Sequence, residues 1–159
     1  MPLGVPRLVT RSGSGFSLHI GRDERVVLTR LLEELGTMQS DPSAADATAR
    51  LFPVVHPDDP GQEAEYQRLM RDELIQSRAE GIATVVDVLA RPGRKVAISQ
   101  DEMLAFVRAV NSVRLVLGTL LDVTEDDDLD APPELVESPE YQLYGYLSYV
   151  LDACVRSMS

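Results

Sequence analysis

The 159-residue chain has a single cysteine, Cys154, a single lysine, Lys95, and only two histidines, His19 and His56. One cysteine cannot close an intramolecular disulfide, and two histidines leave little material for a catalytic base or a metal centre. No stretch approaches the ~20 consecutive apolar residues of a membrane span. The first residues lack the apolar run of a signal peptide, so a cytosolic location is expected. No glycine-rich phosphate loop follows a strand, because Gly13 and Gly15 fall inside a hairpin turn. What is present in quantity is apolar and acidic. The hydrophobic fraction of 44% is ordinary for a globular protein, and a chain of this length buries roughly two thirds of its unfolded surface.

Charge is unevenly placed. Asp and Glu total 26 against 15 Lys and Arg, for a formal charge of −11. Residues 1 to 30 nevertheless carry Arg7, Arg11, Arg22, Arg25 and Arg30 against Asp23 and Glu24, a net of +3. Between Arg114 and Arg156 there are ten acids and no basic residue. Such a chain repels phosphate overall, which disfavours direct DNA binding.

The pattern predicts one mainly α domain over 1–159, a bundle of about five helices with a small N-terminal β-hairpin. Residues 1–21 form the hairpin, 22–123 the helical core, 124–137 an acidic loop and 138–159 a C-terminal helix. Two Val, Thr, Phe and Ile-rich runs flank Ser12-Gly13-Ser14-Gly15. Val27, Leu28, Leu31, Leu32, Leu35 and Met38 then share a 3.6-residue period, a helix over about 22–39. Pro42 is placed to start a short helical turn in a polar connector. A long pattern from Gln62 to Leu89 runs through Tyr66, Leu69, Met70, Leu74, Ile82, Val85 and Val86. Gly81 costs ~1 kcal/mol in a helix interior, so a kink or break is expected near Ser77 to Gly81. Lys95 to Ile98 suits a short strand. Ser99 with Glu102 forms a capping box that opens a helix to about Leu121, with Met103, Phe106, Val107, Val110, Val113, Leu117 and Leu120 inward. Ser138-Pro139 opens the last helix, striped by Tyr144, Leu147, Leu151, Cys154 and Met158. Ile20-Gly21-Arg22-Asp23-Glu24 echoes Ile98-Ser99-Gln100-Asp101-Glu102. Two readings stand: two helices that start by the same chemistry, which is favoured, or two extended segments paired in one sheet.

Candidate chemistry is sparse. From Asp126, acids occupy positions 1, 3, 5, 9 and 12 of a calcium-loop spacing. Position 6 is Ala131 before Pro132, where the loop needs a left-handed glycine, so a solvated acidic loop is favoured. Glu63, Glu65, Asp72 and Glu73 show no pairing with histidine typical of a metal site. Cys154, the one redox candidate, lies on an apolar stripe and reads first as a small buried hydrophobe.

Three stretches carry a resemblance. They are Arg50-Leu51-Phe52-Pro53 with Leu74-Ile75-Gln76-Ser77-Arg78, the run from Val110 through Asn111, Arg114 and Gly118 to Asp122 and Val123, and Tyr141-Gln142-Leu143-Tyr144-Gly145-Tyr146-Leu147. In these the chain resembles the actinobacterial AosR-type family, long catalogued as a domain of unknown function and associated with transcriptional control of oxidative-stress responses. The resemblance implies a cytosolic, mainly helical regulator that contacts a transcription partner such as a sigma factor or RNA polymerase, with no cofactor and no enzymatic activity. It marks Arg50, Phe52, Pro53, Arg78, Asn111, Arg114, Gly118 and Asp122 as structural or partner-contact residues. Sensing through an internal cysteine pair is impossible with Cys154 alone. On the helix bearing them, Arg114 is expected to pair with a carboxylate and Asn111 to cap exposed backbone. The alternative function is a small-molecule-binding or hydrolytic domain, which would need a deep pocket, with His56 and nearby acids as candidates. A third is an assembly module, whose sign would be a large apolar patch and a dimer.

Overall fold

The computed structural model describes residues 7–122 and 133–159. Strands β1 (Val9–Ser12) and β2 (Gly15–His19) form a hairpin, followed by helix α1 (Arg22–Met38). Two 3-10 turns, Pro42–Ala44 and Ala49–Leu51, lead into helix α2 (Pro60–Leu89). Strand β3 (Lys95–Ile98), helix α3 (Gln100–Leu120), a one-turn helix α4 (Pro133–Val136) and helix α5 (Pro139–Ser157) complete the order. The architecture is thus the expected mainly α one, with five helices and a small sheet.

The sheet is antiparallel in the order β1-β2-β3. Phe16 faces Ile98 and Leu18 faces Val96 across its inner pair. The two extended segments that echo each other therefore do pair, against the favoured reading, and β3 is the short strand expected at Lys95 to Ile98. Alternation explains the register: Phe16, Leu18, Val96 and Ile98 are buried on the face toward the helices. At Gly15 the backbone of the neighbouring strand passes so close that an added Cβ would lie 2.4 Å from the Ile98 carbonyl oxygen. Only glycine admits that approach.

Caps set the helix boundaries. Ser99 accepts from the Glu102 amide while the Glu102 carboxylate accepts from the Ser99 amide, so the capping box closes in both directions. Asp59 caps α2 and Ser138 caps α5, each followed by proline at the first helical position. Helix α2 is unbroken through Gly81, so of the kink or break expected there the break into two helices does not occur. Its length and its tertiary contacts outweigh one glycine, whose cost is only about 1 kcal/mol. The fifth helix is instead α4, four residues inside the segment expected to be an acidic loop. Residues 124–132 of that segment, including Asp126 to Ala131 of the calcium-like spacing, lie outside the described residues.

Helix α3 is the centre of the bundle, packed against α2, α5, α1, the Ala49–Leu51 turn and β2. Its length and apolar composition would let it cross a membrane, yet here Met103, Phe106, Val110 and Val113 are buried among the other elements. Not every periodic apolar residue turns inward. Val27, Leu69 and Leu120, placed on inner faces by their spacing, are 44%, 60% and 62% exposed. Each lies near an end or an unflanked stretch of its helix, where the periodic face runs on beyond its packing partner.

Candidate functional site

Most residues singled out by the middle of the sequence converge on one seam. The Ala49–Leu51 turn lays Leu51 and Phe52 against the bundle, both buried. Phe52 offers its ring to two guanidinium groups of α2, with Arg71 at 3.8 Å and Arg78 at 4.9 Å from the centroid. Residues 71 and 78 are seven apart, two helical turns, and so share a face. Arg78 also donates a hydrogen bond to the Leu51 carbonyl, which fixes the turn to the helix.

The same turn carries Arg50, whose Nη1 lies 3.3 Å from where a Cβ on Gly118 would stand. The Tyr144 ring comes within 3.1 Å of that point, so the bare glycine lets α5 and the arginine approach α3 together. Arg114, one turn earlier on α3, sits 5.8 Å from the Tyr144 ring centroid. Its hydrogen-bond acceptor is Asn111 Oδ1 at 3.4 Å, not the expected carboxylate. Asn111 likewise accepts from a side chain rather than capping backbone. The three-residue spacing puts amide and guanidinium on adjacent turns, and no acid among the described residues reaches them.

The seam is electrically unusual. Arg78 Nη1 and Arg114 Nε are buried with no hydrogen-bond partner. Burial and the neighbouring charge of Arg71 both lower the proton affinity of Arg78. Arginine retains its proton regardless, so the cost is an imperfectly answered cation. Pro53 is exposed beside the seam, with its carbonyl accepting from Gln67. Asp122 stands apart at the end of α3 in a left-handed conformation, φ 54°.

A second arginine-rich feature lies at the other end of α2. The start of α1, the last residues of α2 and the turn before β3 enclose an open groove of about 1200 Å³. Arg25 stitches its walls, donating to the carbonyls of Ile20 at 2.9 Å, Arg91 at 2.6 Å, and Gly93. Arg91 in turn pairs with Glu102, reaches Asp87 at 3.4 Å and donates to the Ala97 carbonyl at 3.0 Å. Arg22, Arg30 and Arg94 line the groove with no such partner among the described residues, and Glu33 is the only acid on its walls. Val26, 52% exposed, adds an apolar surface. Sequence reasoning missed this feature, because it joins residues 19–33 to 89–94. The visible signal was the net positive charge of the first 30 residues.

The histidines are far apart in role. His19 shares a hydrogen bond with Thr10 across the hairpin at 3.2 Å. His56 meets the Tyr66 ring edge-on, and its backbone amide donates to Glu63. Glu63 is held below its ordinary pKa first by Gln67 and then by that amide. No group of three or more metal-ligating side chains occurs among the described residues. Cys154 is fully buried on α5 and its thiol is pushed up to about 12 by desolvation, the reverse of a reactive cysteine.

Fold and sites describe a mainly helical protein whose polar features are organised by arginines rather than by a nucleophile or a metal. The chain belongs to the family described as a domain of unknown function (DUF2017), which matches residues 6–158. It is also similar to a Mycobacterium leprae protein named "Putative oxidative stress regulator AosR", at 23% identity over 141 residues. That match covers 86% of this chain and 60% of the relative's length. No solved structure matches the chain.

Proposed function

We propose that this protein is a non-enzymatic regulator that acts in the cytoplasm by docking a protein of the transcription machinery, such as a sigma factor or RNA polymerase. The observation that carries the reading is the groove. On a chain of net charge −11, it gathers Arg22, Arg30 and Arg94 beside the exposed Val26 with one acid among them. Such a lining suits an acidic, amphipathic segment of a protein, whose charges steer encounter and whose apolar side chains anchor it. The relative's name supports a regulatory role in the same sense.

The test uses purified components. Fluorescently labelled protein is titrated with core RNA polymerase and, separately, with individual sigma factors. Saturable binding of one of these, weakened by salt and lost in an Arg22→Glu, Arg30→Glu, Arg94→Glu triple variant that keeps its melting temperature, supports the reading. Equal binding by the triple variant, or binding to none of these proteins, overturns it.

A further inference from the structure

On the side of α1 turned away from the arginine groove, a second concavity opens between α1 and α3. Leu31, Leu35 and Met38 of α1 and Val113, Leu117 and Leu120 of α3 line an apolar groove of about 130 Å³. Both trios repeat at i, i+4 and i+7, the spacing of a helical stripe made for packing. That packing is incomplete. Leu120 is 62% exposed, and Leu31, Met38 and Leu117 are half-buried. Arg22, Val26 and Thr29, which line the arginine groove, fall on the opposite side of α1 by the 3.6-residue turn.

The rim of this second groove is acidic. Glu34 is the one charged residue on its wall. An adjoining shallow hollow shares Glu34 and Met38 with it and adds Glu33 and Thr37. No basic side chain lines either one. Neither carboxylate is in an ion pair among the described residues. The two sides of α1 therefore present opposite charge, each beside apolar surface.

We propose that the groove between α1 and α3 docks a basic amphipathic helix of a partner protein, with one apolar side chain seated in it and flanking Lys or Arg residues over Glu33 and Glu34. The size fits a single anchor, since a cavity of ~150 Å³ accommodates one benzene ring. An amphipathic helix laid in a groove between two helices brings such anchors at helical spacing. The apolar wall supplies affinity, and the unpaired acids select a cationic helix and repel an acidic one. A second copy of this chain is disfavoured, because a symmetric pair through this face would set Glu33 and Glu34 against their own kind. The arginine groove takes the opposite charge, so the two surfaces stand or fail separately.

The experiment titrates the full chain with labelled synthetic peptides of about 18 residues, or about five helical turns. One is an amphipathic helix of Leu and Lys, one its counterpart in Leu and Glu, and one the Leu and Lys residues shuffled off the helical period. Fluorescence anisotropy should show saturable binding of the amphipathic Leu and Lys helix, with the other two weaker by about tenfold or more. Amide shifts of 15N-labelled protein should fall on residues 31–38 and 113–120. The decisive variants are Leu120→Gln and Glu34→Lys, both at exposed positions, so each should keep the parent melting temperature. Each should weaken the basic helix about tenfold. Arg22→Glu with Arg30→Glu, in the other groove, should not weaken it. The proposal is overturned if the shuffled or the acidic peptide binds equally, if the shifts fall on residues 124–137 instead, or if both groove variants keep the parent affinity. A dimer of the full chain that Leu120→Gln dissolves would seat a second copy in the groove and overturns it as well.

Discussion

Arg25 and Arg91, at the C-terminal end of α2, differ from Arg71 and Arg78 in its middle in how their cations are answered. The first pair is answered throughout: Arg25 spends its donors on three carbonyls, and Arg91 on two carboxylates and a carbonyl. The second pair is laid on an aromatic ring, and Arg78 keeps one buried nitrogen without an acceptor. Such arginines are joints, because their bonds tie together segments that are distant in the chain. Arg78 instead carries a buried N–H with no acceptor among the described residues. One residue type therefore builds the frame of the groove in one region and a stacked, partly unanswered seam in the other.

The comparison breaks most easily at Phe52. Its ring is the platform for Arg71 and Arg78 and is itself buried. Phe52→Ala should destabilise by about 3–5 kcal/mol, combining lost burial with a cavity under two cations. Urea unfolding measures it; a loss under about 1 kcal/mol would mean that the guanidinium stack contributes nothing to the seam. Arg25→Ala comes next. Three carbonyls lose their donor, but water can reach the groove, so about 2 kcal/mol is expected. Amide exchange in residues 89–94 should rise in that variant, and unchanged protection there would show that Arg25 is not a joint.

These two regions were unequally legible in the sequence. Signals that act within a few residues could be read directly: the Ser99 and Glu102 capping box, Ser138-Pro139, and the glycine turn of the hairpin. Each depends on backbone groups within one helical turn or one hairpin. Burial at helix ends was not legible, because the periodicity of Leu69 or Leu120 does not say where the facing helix stops. The partner of Arg114 was misread for a related reason. Rarity of buried unpaired arginine argued for a carboxylate, whereas the tertiary structure supplies Asn111 and the Tyr144 ring. The groove required contacts across some 66 residues of chain, between Arg25 and Arg91. No local pattern contains that information.

Arg91 offers a finer division, because its partner titrates. The Glu102 carboxyl is held below the usual carboxylate range, first by the hydrogen bond from Arg91 and then by the Ser99 amide. A depressed folded pKa stabilises the protein above the unfolded value near 4.3, and that contribution is lost as pH falls through the folded pKa. Glu102→Gln keeps a side chain able to complete the capping box while removing the charge. It should cost about 1 kcal/mol at pH 7, discounted for partial exposure. Unfolding midpoints of parent and variant should converge as pH drops below about 4. A constant gap down to low pH would assign the effect to the cap rather than to the ion pair.

The smallest expected effect bears on the other arginine region and has the opposite sign. Helix α2 runs unbroken through Gly81, and a Cβ there meets no atom within 4 Å. Replacing it by alanine lowers the entropy of the unfolded chain and improves helix propensity, so Gly81→Ala should stabilise by about 0.5–1 kcal/mol. Alanine should therefore raise the melting temperature. If alanine destabilises instead, α2 needs glycine for its own path.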